Sequence, residues 1–256
     1  MSNPAISLVM PVYNVEKFLN KALASVENQT FKDFEMIIVD DGSSDKSYEI
    51  AEEFCSKNTN FKLIKQENSG PAAARNTGVS HCKGEYIAFM DSDDYLEKNF
   101  LEELYNLAKK TGADIACCNF NMYFPNKNLK VYMPFNSLPG VYTKSKALRK
   151  LILDIGVHYF IWNKLYKKEL FLERNIKFDD MYFEDISTSP RLFYFAKTVA
   201  FTSKALYNYT MRENSILHSI NAKKVNDYIK ALGIIKSFLE ENNDYEEYSG
   251  HVWAYA

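Results

Sequence analysis

The sequence predicts an α/β protein: a mostly parallel central sheet flanked by helices, with an irregular, helical C-terminal part. Three observations carry that expectation. Through the first 120 residues, short apolar runs alternate with segments whose apolar residues recur at helical spacing. The residues just past the apolar runs are polar, as in parallel sheets whose ligands meet the carboxyl ends of the strands. Beyond residue 120 the alternation becomes irregular and helical spacing prevails.

Ile6–Val12 is a short apolar run and reads as a buried strand. In 15–29, Phe18, Leu19, Ala22, Leu23 and Val26 fall at helical spacing. Residues 34–39 form the second strand, and Ser43 or Ser44 is placed to cap the helix carrying Ile50, Ala51 and Phe54. Phe61–Lys65 is a third strand, 71–82 a third helix and 85–90 a fourth strand. A helix over 98–111 and a strand over 114–119 follow. Strands and helices in this order require right-handed crossovers. Residues 120–135 read as an irregular hairpin turning at Pro125-Asn-Lys-Asn128. Helices are expected at 144–153, 167–174 and 186–195, with strand-like pieces around Val199 and Leu206. A last helix over 222–240 puts Val225, Ile229, Leu232, Ile235 and Leu239 near one face. The chain stops at Ala256 after an apolar, uncapped stretch, which reads as a sequence cut short or an end that docks on a partner.

With 46% apolar and 25% charged residues the composition is that of a soluble globular protein, not a disordered chain. A net charge of -2 argues against nucleic acid as a partner. Residues 1–4 lack a charged leader, Ile6–Val12 is too short for a signal core or a membrane helix, and Cys55, Cys82, Cys117 and Cys118 show no metal-ligand spacing. A cytoplasmic setting is expected. Aromatic residues make up 15% of the chain, most of them expected in the core.

The polar stretches at the expected sheet edge are Pro11-Val-Tyr-Asn14, Asp40-Asp-Gly-Ser43, Glu67-Asn-Ser-Gly70 and Asp91-Ser-Asp-Asp94. In the last, carboxylates at positions one and three can both face one point, as a hard divalent cation requires. Asp93 or Asp94 can equally cap a following helix. A calcium loop is excluded, because its sixth position, which needs glycine, is Leu96. The first strand is followed by Pro-Val-Tyr-Asn and not by a glycine-rich turn, which weakens a dinucleotide-dehydrogenase reading.

Five blocks in order make a family resemblance explicit: Ser7-Leu-Val-Met-Pro-Val-Tyr-Asn14, Ser25-Val-Glu-Asn-Gln-Thr-Phe31, Glu35-Met-Ile-Ile-Val-Asp-Asp-Gly-Ser-Ser-Asp45, Gly70-Pro-Ala-Ala-Ala-Arg-Asn76 and Tyr86-Ile-Ala-Phe-Met-Asp-Ser-Asp-Asp94. They resemble the successive blocks of family 2 glycosyltransferases, inverting enzymes of the GT-A fold that use a nucleotide-sugar donor. The resemblance runs from about residue 6 to residue 218. It implies that Pro11, Val12 and Tyr13 lie against the nucleotide base and ribose, that Asp41 hydrogen-bonds the base, usually uracil, and that Arg75 sits near the base or diphosphate. It further implies that Asp91, Ser92 and Asp93 form the D-x-D motif, whose carboxylates meet the ribose and a Mn2+ or Mg2+ ion on the diphosphate. Residues 1–120 then form the nucleotide-sugar-binding half, 121–220 the acceptor-binding half of the same domain, and 221–256 a helical extension through which the chain could oligomerise.

An inverting transfer needs a general base on the face opposite the departing diphosphate. Phe183-Glu184-Asp185 resembles the block that supplies it, which assigns Asp185 as base and Glu184 as an acceptor-side carboxylate; both acids would also favour a helix N-terminus. His218, in Arg212-Glu-Asn-Ser-Ile-Leu-His218, resembles a position that reaches the metal, with Arg212 and Ser215 on the same lid. Trp162, in Trp162-Asn-Lys-Leu-Tyr166, can stack on an acceptor sugar or pack in the core. Tyr159, Phe160, Tyr166, Tyr182 and Phe183 are expected with it as an acceptor wall. Lys164, Lys167, Lys168, Arg174 and Lys177 suggest peripheral membrane contact, diluted by Glu169, Glu173, Asp179 and Asp180.

The resulting expectation is a metal-dependent transferase moving a sugar from a UDP-sugar to a glycan or lipid-linked acceptor, in the cytoplasm or at the inner face of the membrane. Two readings from other classes stand beside it: a non-catalytic glycan- or nucleotide-binding module on the same fold, and a nucleotidyltransferase.

Overall fold

The computed structural model describes residues 3–133, 139–212 and 221–252. In chain order the elements are β1 (Ile6–Val12), α1 (Glu16–Glu27), β2 (Phe34–Asp40), α2 (Ser47–Lys57), β3 (Phe61–Lys65), α3 (Gly70–Ser80), β4 (Tyr86–Phe89), β5 (Tyr95–Leu96), α4 (Phe100–Thr111), β6 (Ile115–Phe124), β7 (Leu129–Met133), β8 (Gly140–Thr143), α5 (Lys144–Ile152), β9 (Lys164–Lys167), α6 (Glu169–Leu172), α7 (Glu184–Phe195), β10 (Thr198–Thr210), α8 (Ala222–Glu241) and α9 (Tyr245–Val252).

One sheet runs β3-β2-β1-β4-β9-β6-β10-β5, with β7 added on β6 and β8 on β10. The strands β1, β2, β3, β4, β6 and β10 point the same way, because β9 sits antiparallel to both β4 and β6 and β10 is parallel to β6. The period of two along β1 divides its side chains between two cores. Leu8, Met10 and Val12 join one cluster with Leu19, Leu23 and Leu104, while Val9 joins another with Phe89, Leu151 and Leu192. Burying each such aliphatic side chain contributes about 1.5–3 kcal/mol. Helix α3 approaches β1 so closely that a Cβ on Gly78 would lie 2.3 Å from Val9 Cγ1. No helix among the described residues is long and apolar enough to cross a membrane.

Three local expectations are corrected. The helix expected over 167–174 is preceded by strand β9 and shrinks to the four residues of α6, since a four-residue strand carries too little alternation to be read. The two strand pieces near Val199 and Leu206 are one strand, β10; exposed Ser203 and Lys204 and two register shifts interrupt its apolar pattern. Neither Ser43 nor Ser44 caps α2; the Ser47 amide instead donates to Asp45 Oδ1 at 3.0 Å.

Candidate active site

The carboxyl ends of β1, β2, β3 and β4 bring together the turns 13–15, 41–46, 66–69 and 90–94. Gly42, in the second of these turns, has φ +75, and a Cβ there would meet the amide nitrogen of Asn68 in the third at 3.0 Å. Only glycine fits both the left-handed backbone and the close approach.

Asp41 is buried, and its oxygens accept from Gln66 Nε2 at 2.7 Å and from the Ser69 and Gly70 amides at 2.9 and 2.8 Å. The carboxylate thus ties β2 to the start of α3, where unpaired amides and the helix dipole favour an anion. Its neighbour Asp40 is fully buried; Oδ2 accepts from the Ser43 amide at 3.3 Å, and Oδ1 meets no donor of the protein. In the sequence Asp40 stands out only as the polar residue that ends an apolar strand. Tyr13 stands 48% exposed past the end of β1, and Pro11 is half-buried. Val12 is fully buried, its side chain turned into the core by strand alternation.

Arg75 is the hub of the site. Its guanidinium is buried on α3, donates through Nη2 to Asp91 Oδ1 at 2.7 Å, and donates through Nη1 to Glu184 Oε1. Burial opposes the charge, but Glu184 and Asp91 outweigh it and hold Arg75 ionised. The next residue, Asn76, grips the Phe178 backbone at both polar atoms: Nδ2 donates to the carbonyl and Oδ1 accepts the amide, each at 2.9 Å. Phe178 leads to α7, so one turn of α3 holds both the acidic turn after β4 and the approach to Asp185. Asn76 stands in the Gly70–Asn76 block, yet no role was assigned to it from sequence.

Helix α7 opens at Glu184 behind Phe183, which adopts φ +62. Such a conformation is costly for an aromatic residue and clusters at functional sites. The Tyr182 amide donates to Asp227 Oδ2 at 3.0 Å, which ties the entry to α8. Asp185 is half-buried and accepts from the Ile186 amide at 2.9 Å. Burial, and then the charge of Glu184, push its carboxyl up to about 7, against the pull of Arg75.

In the acidic turn, Asp93 pairs with Arg212; burial and the charge of Asp91 push its carboxyl up to about 6, with Arg212 opposing. Ser92 and Asp94 are buried. Asp94 caps no helix: its oxygens face Tyr207 and Thr210 on β10. Among the described residues no group of three or more His, Cys, Asp or Glu is arranged to hold a metal ion by itself. His218 and Ser215 lie outside the described residues.

Trp162 packs in the core, one of the two places open to it from sequence. It is 5% exposed, stacked with Tyr207 at 4.3 Å and Phe160 at 4.7 Å, and so has no open face for a sugar. Tyr166 is fully buried, whereas Tyr159, Phe160, Tyr182 and Phe183 keep partial exposure. The basic run is not one surface either. Lys164 is fully buried and donates to the His158 and Phe160 carbonyls, and burial pulls its ammonium down to about 8. Lys167 pairs with Asp114 at 2.8 Å, and Lys168 donates to the Lys83 carbonyl at 3.1 Å.

A profile of the family described as glycosyl transferase family 2 matches residues 7–174. The chain belongs to that family. EpsH of Bacillus subtilis (strain 168), named as a glycosyltransferase, is 34% identical over 252 residues, covering 97% of this chain and 73% of EpsH. The cholesterol galactosyltransferase of Borreliella burgdorferi is 35% identical over 226 residues, covering 84% of this chain and 63% of that protein. Among solved structures, S. aureus TarS 1-349 in complex with UDP-GlcNAc superposes with a TM-score of 0.75 at 25% identity, over 93% of this chain and 66% of that one. The chain therefore spans slightly less than two thirds of the galactosyltransferase and of the TarS chain. As a family 2 member it is a glycosyltransferase, and its mostly parallel sheet flanked by helices is the GT-A architecture shared with TarS.

Proposed function

We propose that this family 2 enzyme is a divalent-metal-dependent, inverting transferase that moves a sugar from a UDP-sugar to a glycan or lipid-linked acceptor. Its product would belong to a bacterial surface polysaccharide or glycoconjugate, made in the cytoplasm at the inner face of the membrane. The observation that carries the reading is the chain Asp91–Arg75–Glu184, which sets the D-x-D turn beside the carboxylate pair that opens α7. The UDP-GlcNAc held by the TarS structure supports uridine as the nucleotide, and the bacterial relatives support the setting.

In this reading Tyr13 and Pro11 offer a face to the base and ribose, and the turns at Asp40 and Asp41 border it. Asp91 and Asp93 supply hard oxygen donors, and the burial and repulsion that raise Asp93 are what a cation would offset. These two carboxylates suit a hard Mn2+ or Mg2+ ion, which they would hold through oxygen. Such an ion, when bound, neutralises charge on the diphosphate. Asp185 accepts the proton of the acceptor hydroxyl as that oxygen bonds to the anomeric carbon and the bond to the diphosphate breaks on the opposite face. A carboxyl near 7 is matched to that task at neutral pH. Glu184, fixed by Arg75, stands on the acceptor side. Residues 1–120 thus supply the donor half, 121–220 the acceptor half and 221–256 an extension. The test is turnover of a UDP-sugar panel with Mn2+: full activity after Asp185→Asn, or after chelation, would sink the mechanism.

A further inference from the structure

Of the carboxylates in the turn after β4, Asp94 faces inward. It is 1% exposed; Oδ2 accepts from the Tyr207 hydroxyl and Oδ1 from the Thr210 amide, both at 2.7 Å. The same Tyr207 oxygen accepts from the Asp91 amide at 3.1 Å. One phenol oxygen therefore holds both ends of the four-residue turn. Asp91 and Asp93 are left to project elsewhere, toward Arg75 and Arg212.

The ring that carries this oxygen is itself fixed. Tyr207 is fully buried, stacked on Trp162 at 4.3 Å and 22°, and meets Phe100 edge-on at 6.2 Å. Close packing of that kind restrains the ring, so the hydroxyl is held at the turn before any ligand arrives. If the ring served only to fill space, phenylalanine would serve equally well. Without the hydroxyl, a buried carboxylate oxygen and the Asp91 amide would both lose their partner.

We propose that Tyr207, aimed by Trp162, is a positioning residue that sets the spacing of Asp91 and Asp94 and so presents Asp91 and Asp93 to a nucleotide diphosphate. Tyr207 acts through the turn and touches no ligand. The assignment rests on the donor site proposed above. It also gives Trp162 a link to function that runs through the core, not through an acceptor sugar.

Calorimetric titration with UDP, in the presence of Mn2+ and again with chelator, tests it on wild type, Tyr207→Phe, Asp94→Asn and Leu104→Ala. Leu104 lies in the same core, one turn of α4 beyond Phe100, so Leu104→Ala should lower Tm and keep UDP affinity. Tyr207→Phe should weaken UDP about tenfold, the order expected for one buried hydrogen-bonded group. Asp94→Asn, which changes no volume, should shift affinity the same way and serves if Tyr207→Phe fails to fold. Wild-type affinity in either variant, or an equal loss in Leu104→Ala, overturns the positioning role. Absence of UDP binding by the wild type overturns the donor site, and the assignment with it.

Discussion

Arg75 holds Asp91 at 2.7 Å, and its second terminal nitrogen holds Glu184. The guanidinium is the right group for this place because two of its nitrogens can serve two carboxylates in a fixed plane. Arg75→Lys cannot reproduce both contacts. The variant should lose about 2–4 kcal/mol of stability, through a buried carboxylate left without its partner, and most of its turnover. A urea melt beside a donor-turnover assay checks this; wild-type stability would show that the pair is not a structural linkage.

Asp185 titrates near 7, so the base is mostly protonated below that pH. Turnover under kcat/KM conditions should rise with pH through about 7 and then level off. Asp185→Asn should lower it by roughly 10²–10⁴-fold and abolish the rise. A rise that survives in Asp185→Asn would assign the titration to another group.

The same carboxyl makes a stability prediction of defined sign. Its folded pKa lies above its ordinary value of 3.8, so the folded state binds the proton more tightly. That contribution is complete below about 4 and is lost as pH rises through about 7. Relative to wild type, Asp185→Asn should therefore gain stability between pH 4 and pH 8, by up to about 4 kcal/mol. Parallel melts across that range read it directly, and a constant difference would contradict the shift.

Asp41 accepts two backbone amides at the start of α3, a role that exists without nucleotide. Asp41→Ala should cost about 1–2 kcal/mol in the ligand-free protein, as loss of a helix-terminus acceptor does. An unchanged melt, with impaired UDP binding alone, would mean that the carboxylate serves the ligand and not the fold.

At Gly78 a methyl group would lie 2.3 Å from Val9 Cγ1. Gly78→Ala should destabilise by about 1–3 kcal/mol, although alanine is the better helix former. Val9→Ala in the same chain should recover part of that loss in a double-mutant cycle. Additive losses would place the clash elsewhere.

The first half of the fold was legible because short, mostly apolar strand segments alternate there with segments of helical apolar spacing. Ile6–Val12 and Phe61–Lys65 have their expected bounds. The acidic turn and Arg75 were legible as blocks. What their side chains do was not, since Asp41 turns to backbone amides and Asp94 to Tyr207 through contacts remote in sequence. Strand β9 was hidden by its length, and Trp162 by the ambiguity of any indole, which suits a core and a sugar equally well. Asn76 lacked a signal because its partner is backbone, and backbone has no sequence.

The grip of Asn76 on Phe178, beside the reach of Arg75 to Glu184, has a consequence for recombination. Residues 121–220 form the proposed acceptor half, yet their active edge is moored to α3, which belongs to the other half. A chimera that grafts this half from a relative would import a new acceptor surface onto foreign moorings. Retargeting the enzyme therefore calls for α3 and α7 to be exchanged together, whatever becomes of the chain between them.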